Sequence, residues 1–267
     1  MTNRMLTLND DNRMPQLGMG TWRLPDAHAP GVVREALDLG YRLIDTAAIY
    51  GNERGVGEGV HGSEAFVTTK LWNDRHGDVE AALNESLALL GLDAVDLYLI
   101  HWPNPDENRF VDAWRAMIRL RDAGLARSIG VSNFLPEHLD ALIGATEVVP
   151  AVNQIELHPR FQQRELRAYH ERRKIVTQSW SPLGQGGTLL ADPAIGAVAA
   201  KHGCSPAQAV IAWHLSHGLS VIPKAGEPAH LQENFAAQEI ALDADDIAAI
   251  DALDDPDGRI GPDPLSF

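Results

Sequence analysis

A chain of 267 residues, 45% of them hydrophobic, can bury a core of its own and is read as one domain over residues 1–267. Its 22 basic and 37 acidic side chains leave a net charge of −15, which excludes a nucleic-acid backbone as the main partner, and no apolar run approaches the roughly 20 residues that a membrane crossing needs. Cys204 is the only cysteine, which rules out an intrachain disulfide framework, and Met1-Thr2-Asn3-Arg4-Met5 leads to polar Asn9-Asp10-Asp11-Asn12 rather than to a secretory core; a cytoplasmic monomer is expected.

In chain order, residues 5–8, the turn Asn9-Asp10-Asp11-Asn12 and residues 14–16 read as a β-hairpin. Short aliphatic runs then alternate with longer amphipathic stretches. Eight strands are predicted, at 17–20, 42–45, 65–70, 94–101, 127–131, 151–155, 175–179 and 220–222. Helices are predicted between them, among them 78–90, 111–123, 136–143, 163–172 and 206–214, and a further one at 243–253 precedes a Pro-containing tail. Eight such units in a chain of this length predict a (β/α)8 TIM barrel, with the hairpin closing its floor and the tail near a mouth. The alternative is a doubly wound open sheet. Its usual G-x-G-x-x-G turn is incomplete here, since Gly18-Met19-Gly20-Thr21-Trp22-Arg23 lacks the third glycine.

Asp45, Lys70 and His101 end the second, third and fourth predicted strands, and Tyr50 follows Asp45 by five positions. In a barrel, residues at the carboxyl ends of neighbouring strands converge on one face. An ammonium from Lys70, held by Asp45, is expected to lower the pKa of the Tyr50 phenol so that it donates a proton, with His101 orienting a carbonyl beside it. Such a set suits a reaction that delivers hydride to a carbonyl carbon and a proton to its oxygen, with the hydride drawn from a cofactor. Each residue also has an ordinary structural use, as a packing phenol, a structural ion pair or a hydrogen-bonded imidazole. Two other classes stay open at this point. A metal-dependent barrel hydrolase has His61, His101, His158 and His202 available but no H-x-H or H-E-x-x-H spacing, so no metal is expected; a non-enzymatic cofactor sensor could keep the same fold.

The ordered motifs resemble the aldo-keto reductase family from about Leu17 to Leu253. They are Gly20-Thr21-Trp22, Asp45-Thr46-Ala47, Tyr50-Gly51-Asn52-Glu53, Thr69-Lys70-Leu71-Trp72, Leu99-Ile100-His101-Trp102-Pro103, Gly130-Val131-Ser132-Asn133, Asn153-Gln154-Ile155-Glu156-Leu157-His158-Pro159 and Ser179-Trp180-Ser181-Pro182-Leu183-Gly184-Gln185-Gly186. Within the family, Lys70-Leu71-Trp72-Asn73-Asp74-Arg75-His76 is most similar to the bacterial 2,5-diketo-D-gluconic acid reductases.

The resemblance implies the catalytic set Asp45, Tyr50, Lys70 and His101, and a nicotinamide dinucleotide, NADPH, held near Gly20, Thr21, Trp22 and Asp45. It implies further that Ser132, Asn133 and Gln154 bond the carboxamide, that Trp180 stacks on the ring, and that Ser181, Pro182, Leu183, Gly184, Gln185 and Gly186 cover the pyrophosphate. Glu233 and Asn234 match adenine-contacting positions. The chain departs from the family at the 2′-phosphate, where Ala225 and His230 stand in place of a serine and an arginine while Lys224 remains. NADH use beside NADPH is therefore expected, with the balance moving toward NADPH as His230 gains charge. A small carbonyl substrate is expected among Trp22, Tyr50, His101 and Trp102, with contributions from Asn104 and the tail, and with Arg23 or Arg109 as candidates for a carboxylate. A second departure is the short connection Val60-His61-Gly62-Ser63-Glu64, which predicts a truncated second helix.

Overall fold

The structure, a computed structural model, describes residues 3–267. Strands β1 (Met5–Thr7) and β2 (Arg13–Pro15) pair antiparallel, Leu6 opposite Met14, around a turn in which the Leu8 N–H donates to Asn12 O at 2.9 Å. Asn9 Nδ2 reaches Pro150 O at 3.0 Å, and Asn12 Nδ2 reaches Arg127 O at 3.2 Å. Both carbonyls lie just before or at the start of barrel strands, so the hairpin lies across the amino-terminal end. Fully buried Met14 packs there with Leu8, Leu43, Leu97, Leu99 and Val152, closing the floor as predicted.

The barrel follows as β3 (Met19–Gly20), α1 (Ala29–Leu39), β4 (Leu43–Asp45), α2 (Glu53–Val60), β5 (Phe66–Leu71), α3 (Val79–Leu90), β6 (Val95–Ile100), α4 (Phe110–Asp122) and β7 (Ala126–Ser132). It continues through α5 (Pro136–Thr146), β8 (Val152–Glu156), α6 (Arg164–Arg173), β9 (Val176–Trp180), α7 (Pro193–His202), α8 (Pro206–Ser216), β10 (Ser220–Val221), α9 (Pro228–Ala236) and α10 (Ala244–Asp251). The eight strands β3 to β10 are parallel and neighbour one another in chain order. Gly18 N–H donates to Val221 O at 2.9 Å, and Val221 N–H to Gln16 O at 2.9 Å, joining first strand to last. This is a closed (β/α)8 barrel.

The first strand is shorter than the predicted 17–20, because its lower residues turn to β10 while Met19 and Gly20 pair with Ile44 and Asp45 of β4. One element is additional: two helices, α7 and α8, stand between β9 and β10. Each starts on Pro after a side-chain cap, Asp192 accepting from Ala194 N–H and Ser205 from Gln208 N–H. Helix α2 has 8 residues and ends in the turn at His61-Gly62, as the short connection predicts. Helix α1 ends on Gly40 at φ 115°, where the Phe235 ring lies 2.7 Å from the place a Cβ would occupy; only glycine meets both conditions.

Candidate active site

Strand alternation and closure bring the predicted groups to the carboxyl-terminal mouth. Lys70, fully buried near the end of β5, donates to Asp45 Oδ1 at 2.6 Å and to Thr46 O at 2.8 Å. Asp45 ends β4, and its other oxygen accepts from Gln154 Nε2 at 2.8 Å. The donors and acceptors are thus those of an ammonium and a carboxylate locked together. Burial pushes Asp45 up and Lys70 down, and their mutual attraction opposes both shifts.

Tyr50 ends a short 3-10 turn, Ala48–Tyr50, after β4, which sets its ring 5.1 Å from Lys70 Nζ and 5.8 Å from the His101 ring. The expected acidification of this phenol is not what its surroundings produce. Burial raises the Tyr50 pKa above the ordinary phenol range and the Asp45 charge adds to the rise, although part of the residue remains accessible. His101 is held well below the usual imidazole range by burial first and by the Lys70 charge second, so it is neutral. Its Nδ1 is buried without a partner.

A second polar layer adjoins these four at the ends of β7 and β8. Ser132 Oγ donates to Gln154 O at 2.8 Å, and Asn133 Nδ2 donates to His101 O and to Ser132 Oγ, both at 3.0 Å. Trp180 ends β9, and its Nε1–H donates to Asn133 Oδ1 at 2.8 Å. Two amides, a hydroxyl and a flat indole thus gather next to the Lys70 pair, their donors spent on one another, on backbone carbonyls, on Asp45 and, from Gln154 Nε2, on Gln178 Oε1 at 2.7 Å; they are the group types that a carboxamide-bearing aromatic ring requires. Gly20 adjoins the last strand through Gly20 N–H to Pro223 O at 3.2 Å, and Thr21 Oγ1 donates to Asp45 O at 3.0 Å.

The loop Ser181-Pro182-Leu183-Gly184-Gln185-Gly186 folds on itself, with Gln185 Nε2 on Ser181 Oγ at 2.9 Å and positive φ at Gly184, Gln185 and Gly186. Around β10 and α9, Lys224 and His230 are exposed and Ala225 is buried. Asn234 is also buried, and the Glu233 carbonyl accepts from Gln208 Nε2 at 3.0 Å.

For the substrate side, Trp102 is buried near His101, while Trp22 is 37% exposed with the Arg23 guanidinium 4.1 Å over its ring. Asn104 is half-buried in the loop after β6. The Arg109 guanidinium lies against Gly77 in a cleft between the starts of α3 and α4, beside His76 and Arg119. Two wall residues are absent from the predicted set. Trp72 stands edge-on to His101 with ring centroids 5.0 Å apart, and Phe267 packs on Trp102 at 4.7 Å and on Trp72 at 6.3 Å. Trp72 carried a signal, being two positions after Lys70 and hence on the same side of an extended chain. Phe267 belongs to the tail that was expected at the pocket, though the sequence does not single out this residue.

A sequence profile of the aldo/keto reductase family matches residues 16–255. Methylglyoxal reductase DkgA of Escherichia coli (strain K12) is 49% identical over 269 residues, covering 98% of this chain and 98% of that protein. An aldo-keto reductase of Mycobacterium sp. (strain JLS) is 49% identical over 270 residues, 98% of this chain and 97% of that one. Among solved structures, the apo form of Gox0644 superposes with a TM-score of 0.96 at 50% identity, covering 99% of this chain and 98% of that one. A Gox0644 variant in complex with NADPH superposes with a TM-score of 0.98 at 48% identity, covering 100% and 99%. Barrel, mouth and motifs agree with these likenesses along nearly the whole chain: the protein belongs to the aldo/keto reductase family and is an NAD(P)H-dependent oxidoreductase.

Proposed function

We propose that this protein reduces small aldehydes and ketones to alcohols, with Tyr50 as the general acid. The observation that carries the reading is the buried Lys70–Asp45 pair, closed at 2.6 Å, with Tyr50 over the ammonium and neutral His101 beside the phenol. The nicotinamide supplies hydride when bound. His101 presents an uncharged imidazole, which can donate a hydrogen bond to a carbonyl oxygen and so orient it toward the Tyr50 hydroxyl.

A phenol held above its ordinary pKa stays protonated at neutral pH, ready to give its proton. The oxygen becomes strongly basic only as hydride arrives at the carbon, so the proton moves from Tyr50 as that charge develops. Lys70 then stabilises the phenolate left behind, and Asp45 keeps Lys70 aimed and charged. Ser132, Asn133 and Gln154 would hold the carboxamide. To do so, Asn133 turns its Nδ2 from His101 O to the ligand and keeps its Oδ1 on Trp180 Nε1–H, while Trp180 offers its face to the ring.

The substrates are small and sugar-derived carbonyls, 2,5-diketo-D-gluconate and methylglyoxal among them; the name of the Escherichia coli relative points to methylglyoxal. Three aromatic walls, Trp72, Trp102 and Phe267, around a polar centre suit such molecules better than a long chain. NADPH is the main reductant, and NADH serves as well, because buried Ala225 offers no hydroxyl and exposed His230 replaces a fixed positive charge.

The test is a carbonyl panel followed by loss of reduced-nicotinamide absorbance, with methylglyoxal, 2,5-diketo-D-gluconate and aldehydes of increasing length. Turnover concentrated in the small members is expected; a preference rising steadily with chain length would count against the closed pocket.

A further inference from the structure

Glu156 ends β8 and pairs in register with Trp180 at the end of β9. Its side chain is 1% exposed, and it has no lysine or arginine partner. A buried carboxylate needs donors, since each unpaired oxygen carries a desolvation penalty. Here Oε1 accepts from Ile260 N–H at 2.6 Å, Oε2 accepts from Gly261 N–H at 2.8 Å, and His158 Nε2 lies 3.2 Å from Oε1. Two of the three donors therefore belong to the backbone of the tail that follows α10.

Gly261 supplies an independent observation. A Cβ there would stand 2.5 Å from Trp180 Cη2 and 2.9 Å from Glu156 Oε2, so the tail backbone lies flush on the indole edge. Trp180 is fixed on its opposite side by Nε1–H to Asn133 Oδ1. Beyond this knuckle the tail runs on to Phe267, seated on Trp102 and Trp72. One carboxylate thus holds a segment that touches the cofactor side of the mouth at Gly261 and the substrate side at Phe267.

We propose that Glu156 is a positioning residue that clamps the tail, and that the clamped Gly261 holds Trp180 in the orientation that receives the nicotinamide. The inference rests on the reading of Trp180 as the stacking platform. It makes tail docking and cofactor affinity thermodynamically linked: NADPH tightens the tail by the same factor by which the docked tail tightens NADPH. The two ends of the tail also act on different ligands. Gly261 governs cofactor affinity, and Phe267 governs substrate fit.

Amide hydrogen exchange of residues 258–267, with and without NADPH, and calorimetric NADPH titration test this on wild type, Glu156→Gln, Gly261→Ala and Phe267→Ala. Glu156→Gln should speed exchange at Ile260 and Gly261 and raise the NADPH Kd about tenfold, in the usual range for coupled sites. Gly261→Ala should raise the Kd similarly, because its Cβ displaces the tail from Trp180 while the Glu156 side chain is kept, and it serves alone if Glu156→Gln does not fold. Glu156→Asp should recover part of the affinity, and Phe267→Ala should change substrate KM while leaving the NADPH Kd unaltered. Unchanged exchange in Glu156→Gln would overturn the clamp. Faster exchange with an unchanged Kd in both Glu156→Gln and Gly261→Ala would overturn the coupling. Trp180→Ala separates the underlying reading: if it binds NADPH as wild type does, the platform itself is wrong.

Discussion

Lys70 carries the most consequential electrostatics in the molecule. It is a fully buried amine whose charge is matched by Asp45 at ion-pair distance; its Nζ lies 5.1 Å from the Tyr50 ring, and its charge helps to hold His101 neutral. Lys70→Met should lower kcat by about 10²–10⁴-fold, the usual range for loss of proton-transfer support. It should also cost about 3–5 kcal/mol of stability, because Asp45 is left buried and unpaired. Kinetics and urea unfolding on the same preparation check both, and a stable, fully active variant would contradict the assignment. Cofactor choice is proposed to rest on Ala225 and His230 at the same scale. The ratio of kcat/KM for NADPH over NADH should be modest in wild type and should rise in His230→Arg, which supplies a fixed guanidinium. Strong NADPH selectivity in wild type, unchanged in His230→Arg, would remove that role from position 230. Asp45, Lys70 and His101 were legible because each stands at or within one residue of the point where an apolar run stops, and Tyr50 by its offset from Asp45. The direction of the Tyr50 shift was not legible, since burial and the placement of Asp45 exist only once the chain is folded.

At the scale of elements, strand positions follow from the alternation of aliphatic runs and turns, and their ends differ from expectation by a residue or two. Helix α7 is the exception, because the periodic pattern marks residues 206–214 and passes over the alanine-rich Pro193–His202. Asp192 before Pro193 is the start signal that was available. Tertiary contacts hold α7 to α10: Asp246 accepts from Lys201 Nζ at 2.7 Å and from His202 Nε2 at 2.6 Å, and it also caps its own helix by accepting from Asp243 N–H at 3.1 Å. The Lys201 hydrogen bond leads in holding the Asp246 carboxyl far below the ordinary range. A depressed carboxylate stabilises the fold above its unfolded pKa and ceases to do so as pH falls through the folded value. Asp246→Ala should cost about 1–2 kcal/mol, as loss of a helix cap does, and lower Tm by about 2–8 °C at neutral pH. A Tm equal to wild type would show the junction to be dispensable.

For the whole molecule, the closed barrel was legible as eight strand–helix units and the tail was placed near a mouth, while the particular contacts were not: the join of Gly18 to Val221 and the seat of Phe267 on Trp102 connect segments far apart in the sequence. The interior also holds neutral histidines. His170 takes a hydrogen bond from Asn153 Nδ2 at 2.9 Å and pairs with Thr177 at 2.8 Å, and burial takes its pKa down to about 3; burial and Arg109 take His76 to about 4. Between those values and the unfolded value of about 6.5 the unfolded chain binds more protons than the native one. Stability should therefore fall as pH drops from about 6.5 toward 4, by at most about 1.4 kcal/mol per pH unit for each such histidine. Urea midpoints at pH 7.5, 6 and 5 measure it, and a flat series would show these rings to be protonated in the native protein.

The proton donor is the centre of the account, and Tyr50→Phe addresses it most directly, since it removes one oxygen and leaves the ring that packs beside His101 and Lys70. Steady-state reduction of methylglyoxal, with NADPH affinity measured alongside, should show kcat down by at least about 10²-fold while the NADPH Kd stays within about twofold of wild type. Turnover near the wild-type rate with cofactor affinity intact would mean that another group protonates the carbonyl oxygen.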